Sequence, residues 1–130
     1  MLNSQASAAT STALLNSVDA ANTAAATSGN GLWLDVRTYD GEILVTQNVG
    51  VVTAGSITGK LQSATDANGT GAADIAGATF TAVTTANDPS CQKLAVDVRQ
   101  VVGGFLGYVG TIATGPAAVS VVASGKKKIV

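Results

Sequence analysis

Asp66, Asn68 and Thr70 stand at alternate positions in the stretch TDANGTGAAD, and Gly71 falls where a calcium-binding loop turns sharply. Such a loop grips a hard cation through oxygens at its first, third, fifth and ninth positions and through a bidentate carboxylate at the twelfth. Counted from Asp66, the ninth position is Asp74, but the twelfth is Gly77, which has no side chain to offer. The eighth is Ala73, where a core-facing apolar residue is usual. The pattern therefore favours a glycine-rich connection between two strands. In such a connection Asp66 and Asn68 hydrogen-bond their own backbone, and Gly69 and Gly71 take positive φ. Asp66, Asn68 and Asp74 remain only a weak, solvent-exposed cation candidate, and no cofactor is expected.

Other chemistry is thinner still. Histidine is absent, which removes the commonest general base near neutral pH. Cys91 is the single cysteine, so no disulfide forms within the chain; it reads as a small buried apolar residue. The eight carboxylates are scattered singly. Asp97 and Arg99, two apart on one strand face, read as a surface ion pair. None of the glycine-rich runs precedes a Lys-Ser or Lys-Thr pair as a phosphate loop requires. Catalysis is not expected.

Charge is unevenly spread. Lys126, Lys127 and Lys128 cluster at the end, and without them four basic residues face eight acidic ones. An acidic body is a poor nucleic-acid binder, because phosphate contacts need Lys and Arg on one face. The N-terminus has no basic region followed by an apolar run, so it does not read as a signal peptide. Residues 101–123 carry no charge, which is long enough to span a bilayer. Five glycines interrupt that stretch and Gly115-Pro116 is a turn signal, so two buried strands joined by a turn fit better than a membrane helix.

The elements that must position these residues are strands. LWLDVR alternates Leu32, Leu34 and Val36 against Trp33, Asp35 and Arg37. Tyr39-Asp40-Gly41 reads as a hairpin turn. EILVTQNV, SITGKLQS, ATFTAV, KLAVDVR, GFLGYVGTIAT and AAVSVVAS follow, each with period-two patterning or a buried apolar run. ATFTAV puts Phe80 and Ala82 on one face. The expected fold is all-β, an antiparallel β-sandwich or jelly roll of about seven to eight strands. Residues 1–29, rich in Ala, Ser and Thr, form an N-terminal arm, extended or a short helix; 30–125 form the sandwich; 126–130 form a basic C-terminal tail. The five aromatics and the many Ala, Gly, Thr and Val residues make a core of small side chains, so association with copies of itself would add to a modest intrinsic stability.

The runs YDGEILVTQNVG, GSITGKLQSATDANGTGAADIAGATFTAV and KLAVDVRQVVGGFLGYVGTIATGPAAVSVVASGKKK resemble small virion proteins of tailed bacteriophages, the capsid cement or head-decoration proteins. The resemblance covers roughly residues 30–128 and rests on strand order and texture, with no catalytic motif. Where that family often has an Arg-Tyr-Val run, this chain has Gly107-Tyr108-Val109. The resemblance implies a homo-oligomeric sandwich, dimer or trimer, made in the host cytoplasm. It implies binding to the outside of a phage shell where major capsid protein subunits meet. Partners are then protein, with neither nucleic acid nor membrane. The contact residues expected on that basis are Leu2, Leu14, Leu15 and Trp33, with Lys126, Lys127 and Lys128 meeting an acidic surface. The competing expectation is a carbohydrate- or receptor-binding sandwich of a phage tail or fibre.

Overall fold

The computed structural model of the protein describes residues 9–19, 33–114 and 117–128. Nine strands run through these residues: β1 (Ala9–Asp19), β2 (Leu34–Asp35), β3 (Tyr39–Val52), β4 (Gly55–Ala64), β5 (Ala73–Thr79), β6 (Val83–Thr84), β7 (Ser90–Asp97), β8 (Phe105–Thr114) and β9 (Ala117–Lys127). Every pairing is antiparallel. Doubling the chain back at the loop 65–72 sets β4 against β5 and β6, β3 against β7, β2 against β8 and β1 against β9. Rolling that long hairpin gives one sheet in the order β1-β9-β3-β7 and a second in the order β2-β8-β4-β5, with β6 also on β4. This is a jelly-roll sandwich, as the strand patterning predicts.

Alternation builds the core. Ile43, Val45 and Val49 of β3 face Ile57 and Leu61 of β4, all essentially without solvent exposure. Each fully buried Val, Leu or Ile contributes roughly 1.5–3 kcal/mol relative to an exposed one. The uncharged stretch 101–123 divides into β8 and β9, whose inner residues Leu106, Ile112, Val119 and Val121 complete the interior. Among the described residues no helix is long and apolar enough to cross a membrane.

Four local readings need correction. First, Asp40-Gly41 is not a hairpin turn. Tyr39–Val52 is one continuous strand, and Gly41, at φ 77°, sits in a register irregularity between Asp40 and Leu44. The reversal happens earlier, in a 3-10 turn at Val36–Thr38, so the glycine serves a bulge instead. Second, among the described residues of LWLDVR, which start at Trp33, the strand covers Leu34–Asp35 and ends there because Asp35 caps that turn. Third, KLAVDVR leaves its strand at Asp97 for a second 3-10 turn, Val98–Gln100. Fourth, Phe80 is buried while Ala82 is exposed. The strand breaks after Thr79: Phe80 N–H donates to Gly59 C=O, and the Gln92 side chain takes both Thr81 N–H and Thr81 C=O.

At the chain's two ends the strands reach further than the sequence suggests. Residues 9–19 are extended, and Leu14 and Leu15 lie in β1. Ser and Thr disfavour helix interiors, and the edge of β9 supplies a ladder for the backbone. At the other end β9 continues through Lys126 and Lys127, and Lys128 N–H donates to Thr38 C=O at 2.9 Å. Cys91 is exposed rather than buried, because it lies on β7, an edge strand of its sheet. Leu2, residues 20–32 and Gly115-Pro116 lie outside the described residues.

Candidate interaction surface

Both 3-10 turns sit at one end of the sandwich, where Glu42 of β3 stands opposite Asp97 of β7. The same tripeptide, Asp-Val-Arg, builds each of them. Asp35 Oδ1 accepts from Arg37 N at 3.0 Å and from Arg37 Nε at 2.9 Å, while Oδ2 accepts from the guanidinium at 2.8 Å. Asp97 repeats the arrangement with Arg99 at 2.9, 3.1 and 3.0 Å. In the second turn the Gln100 side chain also accepts from Asp97 N–H at 2.9 Å, closing a capping box. Bonds from the Arg side chains hold both carboxyls below the usual Asp range, with the capped backbone N–H adding to the effect. The expected Asp97–Arg99 ion pair is therefore present, but as a cap folded back on itself rather than as neighbours along a strand.

Aromatic and basic groups gather around these turns. The Arg37 guanidinium lies 5.0 Å from the centroid of the Phe105 ring. Lys127 Nζ lies 5.9 Å from the Tyr39 ring. Lys126 stands opposite Asp40 in the β3–β9 register. Trp33 is half-buried. Its indole packs against Gly107 of β8 and Gly69 of the 65–72 loop, and a Cβ at either position would run into the ring. Trp33 and Lys126–Lys128 are brought to one end of the molecule. Leu15 is not; it pairs with Val121, midway along β9.

The loop that opened the question behaves as a turn. Asp66 Oδ1 accepts from Asn68 N at 2.9 Å and from Thr70 N at 3.1 Å, and Gly69 and Gly71 take φ of 81° and 66°. Bonding to Thr70 is the chief reason the Asp66 carboxyl stays below its usual range. Asp74 has left the loop for β5, where Gln62 at 2.8 Å and Lys60 at 3.0 Å hold its carboxylate. Asp66 and Asp74 are thus committed to different partners, one to its own loop and one to β4.

Sequence reasoning missed Arg37, Phe105 and Val102, which is 91% exposed beside these turns. The signal for Arg37 was present: the tripeptide Asp-Val-Arg occurs twice, each time at the end of an alternating run. Phe105 and Val102 carried no such signal, since both sit in a long apolar stretch. Neither a family model nor a curated protein sequence matches the chain.

Proposed function

We propose that this protein is a structural virion protein that binds the outer surface of a phage capsid and stabilises contacts between major capsid protein subunits. The observation that carries the reading is the gathering of Trp33, Arg37 and Lys126–Lys128 at one end of a jelly-roll sandwich. An end that exposes Lys128, and Arg37 and Lys127 over aromatic rings, suits contact with an acidic protein surface, since Arg and aromatic residues are favoured anchors. The carboxylates support the same reading. Asp35, Asp66, Asp74, Asp88 and Asp97 each serve as a cap, a turn brace or a cross-strand bond. The resemblance of residues 30–128 to decoration proteins supplies the biological setting. Each copy contributes modest binding, and many copies on one shell act together.

Mass spectrometry of purified virions tests the proposal. The expected result is this protein in a fixed ratio to the major capsid protein; its absence from intact particles would refute the reading. Trp33 favours one second reading, a glycan-binding tail or fibre module, because a half-buried indole packed on glycines keeps part of its ring open to a stacking partner. Reproducible glycan-array hits without binding to empty shells would select that alternative.

A further inference from the structure

We propose that the outer edge of β9 accepts β1 from a second copy of this chain, so that neighbouring sandwiches exchange their first strand. The edge itself is the first argument. β9 has β3 on one side and β1 on the other. From Ala117 to Gly125 it has neither a charge nor a proline. Nothing blunts that edge, so without β1 it presents a row of unpaired N–H and C=O groups. The opposite edge of the sheet, β7, begins right after Pro89, carries Lys93, and ends in the Asp97-capped turn.

The second argument is what fits the edge. The segment 9–19 matches β9 in a defined register, from Ala9 opposite Lys126 to Asp19 opposite Ala118. Among the described residues its only strand partner is β9. A β1 from another copy brings the same groups in the same register, so exchange conserves the pairing.

The third argument is reach. Asp19 lies at the end of the sandwich opposite to the two 3-10 turns, while Leu34 pairs with Leu106 beside those turns. The partners of Ala9 and Asp19 lie eight residue steps apart on β9; with one sheet-to-sheet step added, the connection must cover about 30 Å. Residues 20–33 can extend to about 45–50 Å. The excess, about 15–20 Å, matches the width of a four-stranded sheet at ~4.8 Å per strand. The same connection therefore carries β1 either to its own β9 or to that of an abutting copy. Where copies are held side by side, a neighbour's local concentration is comparable to that of the chain's own arm. The exchange rests on topology and holds whatever surface the sandwich docks on.

Two full-length variants test this. One carries Ala13→Cys and the other Val122→Cys, both with Cys91→Ser, since Cys91 is exposed and Ala13 stands opposite Val122. Directly opposed strand residues meet the Cα spacing of a disulfide. The two are mixed at millimolar concentration, incubated and mildly oxidised. The expected result is a disulfide-linked heterodimer at least tenfold above either homodimer. It should also be tenfold above the out-of-register pairing of Ala13→Cys with Ser124→Cys. A heterodimer no more abundant than the homodimers, while one chain bearing both cysteines closes its own disulfide, overturns the proposal. Failure of that single chain to close the bond removes the β1–β9 register and overturns it as well.

Discussion

In the centre of the sandwich, Tyr108 Oη donates a 2.5 Å hydrogen bond to Gln47 Oε1. Neither side chain has appreciable solvent exposure. Gln47 Nε2 finds no acceptor among the described residues. Burial pushes the Tyr108 phenol well above its usual range, so it remains a neutral donor at physiological pH. The pair joins the two sheets, β3 to β8, directly over Gly59 of β4.

Removing one partner should therefore cost more than removing both. Tyr108→Phe leaves the Gln47 amide without its one bond, and should destabilise by about 1–3 kcal/mol. Gln47→Met should cost a similar amount by orphaning the hydroxyl. The double variant should lie within ~1 kcal/mol of the parent, since no buried polar group is then left unmet. Urea unfolding of the four proteins measures the coupling. Additive losses would show that the two side chains act separately.

Two glycines should prove irreplaceable for steric reasons, and a third for its backbone alone. A Cβ at Gly59 would meet Gln47 and Tyr108, and one at Gly107 would meet the Trp33 ring. Gly59→Ala should lose roughly 1–3 kcal/mol by overpacking. Gly107→Ala should also lift the indole off the sheet, red-shifting the fluorescence of this single tryptophan. Gly77 has open space around it but φ of 76°, so Gly77→Ala should cost about 1 kcal/mol with no change in that emission. An unshifted spectrum for Gly107→Ala would contradict the packing of Trp33.

The two capped turns should give the protein an acid-sensitive component. Asp35 and Asp97 have carboxyl pKa values depressed below the ordinary 3.8. A depressed folded pKa contributes stability that is fully present above the unfolded value and lost as pH falls through the folded one. The denaturation midpoint should thus be flat above about pH 5 and fall below pH 4. Asp35→Asn and Asp97→Asn should each flatten that fall. Arg37→Ala and Arg99→Ala should cost less than the corresponding Asp→Ala, because the cap to the backbone N–H survives without the guanidinium. Equal losses would place the stabilisation in the ion pair instead.

Reversing the lysines at the end of β9 should separate fold from contact. Lys127 lies over Tyr39, and Lys126 stands opposite Asp40. The triple variant Lys126→Glu, Lys127→Glu, Lys128→Glu should remain folded by circular dichroism, since β9 is held by two neighbouring strands. Its binding to purified shells should weaken at least tenfold at low salt, with the difference shrinking as salt screens the contact. Salt-independent, undiminished binding would remove the lysines from the interface.

Alternation with period two was enough to identify the fold class, because it decides which side chains are withdrawn from water whatever the partner strand is. It divided the uncharged stretch 101–123 into two strands. The loop at Asp66 was equally legible, since its bonds run between residues at most five apart. Such local features are written in local sequence. Only the tertiary structure decided that Asp40-Gly41 is a bulge rather than a hairpin, that Gln47 meets Tyr108 in the core, and that residues 9–19 form a strand. Each of these depends on a partner distant along the chain: β9 for Gly41 and for β1, and Tyr108 for Gln47. The position of Trp33 over Gly107, and of Lys127 over Tyr39, was hidden for the same reason. Spacing along a chain fixes which groups are near in sequence, whereas a surface is made by strands that the roll brings together from its two ends.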